Sequence, residues 1–361
     1  MLGLGAMLFR RRDRSGGAAV AEPAEDAEPR RSVDQEFSGS TEELDAEIRA
    51  LTEANREARD PESERRLMTL RHVAGIRMLE ASGATPEHPA PDFDRLPAAE
   101  GLPEIAASDA TPELLRAGIL RDGSFLVRGM IPSDRALAFA ELIDEVYAAR
   151  LAHELGDSPE PGYYEEFVID ERFGAPLARP WIKVGGGVLA ADSPAATFEM
   201  LELFERSGIN ALARDYLREP IGTSAQKTTL RKAEPDTPGA WHQDGAFMGK
   251  VRALNVWVSL SRCGDLAPGL DIVPKRLNDL VTAGGEGAKL SYQVTQRTAE
   301  EAAGDTPIIR PVFEPGDVLF FDELCLHQTG SDPTMPNPRY AIESWFFGGS
   351  AFPNDYAPVA V

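Results

Sequence analysis

The chain has 361 residues, 42% hydrophobic and 27% charged, with a formal net charge of −22, the make-up of a globular protein with a sizeable core. A phosphate backbone needs a basic footprint, so the acidic balance argues against nucleic acid and against an anionic membrane surface as partners. The two cysteines, Cys263 and Cys325, offer neither a paired-cysteine metal spacing nor a disulfide framework. No apolar run approaches the ~18 residues of a membrane span. The apolar start precedes Arg10, Arg11, Arg12 and Arg14, the reverse of a secretory signal, and the cytoplasm is the expected compartment.

Taken in chain order, residues 1–39 are poor in apolar side chains beyond the first nine and are expected to be disordered. Residues 40–103 read as a helical extension and linker. Ser40 with Glu43 makes a capping box ahead of Leu44, Ile48 and Leu51 at helical spacing. A second helix is predicted over about 62–80, then a proline-rich linker from Thr85 to Pro103. The apolar faces of these helices are expected to pack on the main domain or on a second subunit, as in a homo-oligomer. The main domain, 104–361, opens with Thr111-Pro112 as a helix start, a strand within 123–132, and a helix over about 134–152. One further helix runs from Ser193-Pro194 to near Leu217.

Past Ile221 the texture turns to short apolar runs between turn signals: around Thr228–Leu230, then 240–248, 253–260, 270–273, 308–313, 318–321 and 340–347. Strands after helices predict an α+β fold, a jelly-roll-like sandwich packed by helices.

Two of the five histidines fall in this β region. Trp241-His242-Gln243-Asp244 would put His242 and Asp244 on one face of a strand, converging on one ion. His327 follows the turn and strand Glu314-Pro315-Gly316-Asp317-Val318-Leu319-Phe320-Phe321-Asp322, and Arg339 lies twelve residues further on. Two imidazoles and a carboxylate on one face of a metal leave positions open for small ligands. Arginine supplies a planar fork for a carboxylate. Asp322 and Glu323 read as solvated turn residues, either being a decoy carboxylate for the metal, and Cys325 as a buried thiol or an oxidation-sensitive neighbour of the metal. Gly185-Gly186-Gly187 lacks the surroundings of a phosphate loop and reads as a tight strand or turn.

This order, with Trp241-His242-Gln243-Asp244-Gly245, Ala253-Leu254-Asn255-Val256-Trp257-Val258-Ser259-Leu260 and Ala267-Pro268-Gly269-Leu270-Asp271-Ile272-Val273-Pro274, resembles the phytanoyl-CoA dioxygenase family of iron(II)- and 2-oxoglutarate-dependent oxygenases over roughly residues 110–350. The resemblance implies a double-stranded β-helix core, with His242, Asp244 and His327 as iron ligands and Arg339 as the 2-oxoglutarate anchor. Asn255, Trp257 and Gln226 are implied as further co-substrate neighbours, and Lys183 as a basic residue near it. Position 341 is alanine where many such enzymes carry a hydroxyl. Asp244 stands where related halogenases have a small residue, which favours hydroxylation.

The expected activity is hydroxylation of a C–H bond of a small-molecule or lipid-like substrate by dioxygen, with succinate and carbon dioxide as co-products. The alternatives are a metal-binding jelly roll without turnover and a zinc hydrolase. The segments 134–217 and 277–303 are the expected walls and lid of the substrate site, the second read as a long mobile loop.

Overall fold

The computed structural model describes residues 32, 35–98, 101–249, 251–285, 288, 291–353 and 355–361; the apolar start and most of the stretch expected to be disordered lie outside them. Ser40 caps α1 (Thr41–Glu57) through the capping box. Its hydroxyl accepts from the Glu43 amide at 3.2 Å, and its own amide donates to the Glu43 carboxylate at 2.7 Å. Asp60 caps α2 (Pro61–Ala81), which starts on a proline. Both helices pack on their own chain. Leu44, Met68, Leu70, Val73 and Ile76 share one buried cluster with Ala225, Ala357 and Val359. Gly75 allows the close approach, since a Cβ there would lie 2.9 Å from the Pro358 backbone.

Among the described residues the main sheet has eight strands. In spatial order they are β1 (Glu104–Ala106), β2 (Ser124–Arg128), β7 (Val318–Phe321), β5 (Ala253–Ser259), β9 (Arg339–Gly348), β4 (Ile221–Ala233) and β10 (Pro358–Ala360), with β3 (Gly187–Leu189) also on β4. Pairing is antiparallel except β1 with β2. Alternation decides the two faces. Leu254, Val256 and Val258 point into the larger core with α3 (Pro112–Asp122), α4 (Ser133–Glu154), α6 (Pro194–Arg206) and α7 (Ile209–Leu217). Ala253 and Trp257 point the other way, into a second core with Leu319, Phe321, Trp345 and Phe347.

That second core is closed by a small sheet, β6 (Gly269–Ile272) with β8 (His327–Gly330), whose Leu270 and Ile272 are buried in it. Single bridges widen the small sheet: His242 pairs with His327, Trp241 with Val294, and Ile272 with Ile309. Two sheets thus face each other across one apolar layer, with helices behind the larger.

Four sequence expectations are corrected. The helix from Ser193 to Leu217 is two helices, because Gly208 turns the chain at φ +79°. Residues 240–248 are not a strand; His242 makes one bridge and the chain then coils into α8 (Gly245–Met248). Residues 308–313 contribute only bridges. The loop over 277–303 contains a helix, capped by Thr295, over Gln296–Ala303 (α9). Among the described residues no helix is long and apolar enough to cross a membrane.

Candidate metal centre

His242 and His327 face each other across the two sides of one antiparallel bridge. The His242 amide donates to the His327 carbonyl at 3.0 Å and the His327 amide donates back at 3.1 Å, which sets the rings 4.5 Å apart. Each ring is oriented by a carbonyl two residues earlier. Nδ1 of His242 lies 2.8 Å from Ala240 O, and Nδ1 of His327 lies 3.1 Å from Cys325 O. A carbonyl only accepts, so both Nδ1 atoms carry the proton and both Nε2 lone pairs are free to bind a metal. Burial, with His242 beside it, brings the His327 pKa down to about 4, so this imidazole is neutral near pH 7.

Asp244 completes the group, with Oδ2 at 4.0 Å from His242 Nε2 and 3.9 Å from His327 Nε2. The one group of three or more His, Cys, Asp or Glu side chains placed to hold a metal ion, among the described residues, is these three. The carboxylate is 2% exposed and its Oδ2 has no hydrogen-bond partner. A buried anionic oxygen without a partner is costly, and a cation between it and the two imidazoles would remove that cost. The donor set, two neutral nitrogens and one carboxylate on one side, suits a divalent metal with open positions such as non-heme iron(II).

Neighbours with no motif in the sequence hold these ligands. Lys227 on β4 places Nζ 3.4 Å from Asp244 Oδ1 and 3.6 Å from the Phe247 ring centroid, which leaves Oδ2 turned to the histidines. Burial lowers its pKa, against the pull of Asp244 and Glu343. Gln243 points away from the metal group. Its Nε2 donates to Leu324 O at 2.7 Å and Asp279 O at 3.3 Å, and its Oε1 accepts from the Val281 amide at 2.6 Å. One amide thereby ties the turn before His327 and the loop after β6 to the His-x-Asp segment. Gln243→Leu is expected to lower stability by about 2–4 kcal/mol, since buried backbone groups lose partners worth ~1–3 kcal/mol each. Metal affinity is expected to fall about 10–100-fold. Thermal unfolding and a metal titration measure both, and parent-like values would show that this amide supports nothing.

The floor of the site is the inner face of the main sheet, and strand register orders it. Arg339 lies opposite Ala233, Ala341 opposite Arg231 and Ser259, Glu343 opposite Thr229 and Trp257, and Trp345 opposite Asn255. Arg339 is 3% exposed. Its Nη1 donates to Gly269 O at 2.9 Å, Nε has no partner, and its Cζ lies 5.6 Å from the Trp257 ring centroid. No carboxylate among the described residues lies within ion-pair distance of it, and burial brings its pKa down to about 10. Asn255 is fully buried with both amide atoms unpaired, as are Trp345 Nε1 and Thr229 Oγ1. The floor therefore carries an enclosed guanidinium and several unspent hydrogen-bonding groups facing the triad's side of the sheet.

Other expected residues fall elsewhere. The Gln226 side chain is engaged by the fold, donating to Ala175 O at 3.0 Å and accepting from the Ala357 amide at 2.9 Å; its neighbour Lys227 is the one that reaches the triad. Lys183, on the short helix α5 (Arg179–Val184), is half-exposed and paired with Glu154 at 2.7 Å. Asp322 is not a solvated turn residue but is buried against Arg276, and burial raises the Glu323 carboxyl to about 7. Cys325 and Cys263 are free and buried. Helices α4, α6 and α7 lie behind the sheet, on the face away from the triad, so they do not wall the site as expected. Phe247 and Tyr292 do stand beside it, each with its ring 6.2 Å from that of His242.

No family model matches the sequence, and no curated protein matches it. Among solved structures, the non-heme alpha ketoglutarate dependent epimerase SnoN from nogalamycin biosynthesis is 24% identical with a TM-score of 0.43, over 66% of this chain and 83% of that one. EctD from S. alaskensis, with 2-oxoglutarate and 5-hydroxyectoine, is 18% identical with a TM-score of 0.46, over 72% and 86%. The non-heme alpha ketoglutarate dependent carbocyclase SnoK, also from nogalamycin biosynthesis, is 14% identical with a TM-score of 0.45, over 68% and 87%. Likeness at this level assigns no role to any residue here; the roles rest on the geometry of the centre itself.

Proposed function

We propose that this protein is an iron(II)- and 2-oxoglutarate-dependent oxygenase that hydroxylates a C–H bond of a small-molecule or lipid-like substrate. The reading includes a double-stranded β-helix core like that of the phytanoyl-CoA dioxygenase family. The observation that carries it is a pair of unsatisfied groups: Oδ2 of Asp244, without a hydrogen-bond partner beside two imidazoles, and the buried Arg339, with no carboxylate within ion-pair distance among the described residues. A cation answers the first and a carboxylate-bearing ligand the second. A 2-oxo dicarboxylate joins the two needs in one molecule.

His242, Asp244 and His327 would hold iron(II), and Arg339 would hold the far carboxylate of 2-oxoglutarate through its guanidinium fork. Together the bound metal and co-substrate supply the activation of dioxygen, with succinate and carbon dioxide as co-products. The chain's own part is placement. Ala240 O and Cys325 O keep both imidazoles in the metal-binding tautomer, and Lys227 turns one carboxylate oxygen toward them. The apolar layer of Trp257, Phe321 and Trp345 excludes water from the floor, and Asn255 offers a donor and an acceptor to whatever lies there.

The test is anaerobic titration of iron(II), then 2-oxoglutarate, followed by succinate release in air with candidate substrates. The expected result is a visible charge-transfer band on adding 2-oxoglutarate and a product heavier by one oxygen. Tight zinc with hydrolysis, or bound metal with no succinate, would overturn the reading in favour of a zinc hydrolase or a metal-holding jelly roll.

A further inference from the structure

Glu343 lies four residues beyond Arg339 on the same face of β9. It stands between Arg339 and Trp345 on that face, and Trp345 packs edge-on against Phe321, whose ring centroid lies 4.9 Å from that of His327. A carboxylate therefore stands on the stretch that any dicarboxylate bridging Arg339 and the triad must cover. Burial works to raise its pKa, but the guanidinium of Arg231 and the ammonium of Lys227 hold it below the usual carboxylate range, so it is ionised. Left alone, it would repel the co-substrate.

Arg231 is placed to cancel it. From the neighbouring strand, one register step from Glu343, it donates from Nε at 3.1 Å and from Nη2 at 3.0 Å, both to Oε2. Its Nη1 donates to Gly185 O at 3.1 Å. A Cβ on Gly185 would lie 2.8 Å from that Nη1, so glycine at the start of the 185–187 run gives the guanidinium room to lie where it does. The head group is fixed at both ends and points at Glu343, not along the floor.

We infer that Arg231 is a positioning residue for the dicarboxylate co-substrate: by pairing with Glu343 it neutralises an acidic group that lies between the anion clamp and the proposed metal ligands. The inference rests on the 2-oxoglutarate reading. It gives the paired arginine and glutamate on the inner face a joint role. It also gives the site a specific vulnerability, in which the damage from losing one residue is repaired by changing another.

The experiment is calorimetric titration of 2-oxoglutarate into the anaerobic manganese(II)-loaded protein, with manganese binding followed separately by electron paramagnetic resonance. Arg231→Met is expected to weaken 2-oxoglutarate binding about tenfold or more, since like charges brought together are strongly unfavourable, while manganese affinity stays at or above the parent value. Adding Glu343→Gln to Arg231→Met is expected to bring 2-oxoglutarate binding back to within about threefold of the parent. Glu343→Gln alone is expected to tighten binding, because it leaves Arg231 uncompensated near a dianion. Parent-like binding by Arg231→Met, or a double variant as weak as the single, would overturn the inference. Should Arg231→Met fail to fold by circular dichroism, Glu343→Gln alone decides: unchanged or weaker binding overturns it. If the parent does not bind 2-oxoglutarate at all, the functional reading itself has failed, which is a different outcome from any of these.

Discussion

Arg339→Ala is expected to weaken 2-oxoglutarate binding by about thirty-fold or more while metal affinity stays near that of the parent. Removing one half of a desolvated, hydrogen-bonded charge pair costs about 2–5 kcal/mol, and Arg339 is nearly fully enclosed. The proposed metal ligands belong to the His242–Asp244 turn and to β8, not to the strand that carries Arg339, so their placement should survive. Arg339→Lys is expected to recover only part of the loss, because an ammonium keeps the charge without the planar fork. There is a second expected consequence. A guanidinium with no carboxylate in the unliganded protein is a desolvation burden, so Arg339→Met should leave the unliganded fold as stable as the parent or more so. Calorimetry with 2-oxoglutarate and thermal melts without it measure the two effects. Parent-like affinity in Arg339→Ala would remove this arginine as the anchor.

Asp244→Ala is expected to abolish turnover and to weaken metal binding beyond the ~10–100-fold that losing an outer partner costs. The cause is twofold. The metal group loses its only carboxylate, and Lys227, now without Asp244 at 3.4 Å, is left as an unpaired ammonium beside the two imidazoles. Asp244→Asn keeps the shape but not the charge and is expected to fail nearly as badly. Far-ultraviolet circular dichroism should remain close to the parent, since Asp244 heads a helix of only four residues. An iron titration alongside an activity assay decides, and turnover at the parent rate in either variant would show that Asp244 is not a ligand.

The helix starts at Ser40, Pro61, Pro112 and Pro194 are legible in the sequence because each is written locally, in a cap or a proline at the first turn. The triad residues are legible as a pattern, yet strand alternation is the wrong reason for their convergence. His242 and Asp244 do not alternate along a strand. His242 is extended in a bridge, while Asp244 sits at φ −62° and ψ −25° as the start of α8. The signal for that turn is present in Gly249, which ends it at φ +71°, but Ala246, Phe247 and Met248 read equally well as strand. Lys227 and Glu343 are not legible at all. In a sequence, a lysine or glutamate within a strand reads as a solvated residue. Only the register of β4, β5 and β9 puts Glu343 on the inner face, Lys227 lies in the irregular stretch of β4 between Thr223 and Thr228, and register is set by pairing far along the chain. Gln226 shows the same limit from the other side: its side chain is engaged by Ala175 O and the Ala357 amide, while the next residue, Lys227, reaches Asp244.

The reciprocal amide bonds between His242 and His327 join residues 85 apart in the chain. A metal held by both side chains would therefore clip together, in the folded chain, the two ends of a long loop. Because the bound ion has a site only in the folded state, its affinity adds to stability by mass action, about 2.7 kcal/mol when free metal stands a hundredfold above its dissociation constant. Chelation should accordingly do more than silence the centre. It should release the seam where the small sheet meets the His-x-Asp turn, and the protection of the His242 and His327 amides against hydrogen exchange would drop ahead of that of β5 and β9.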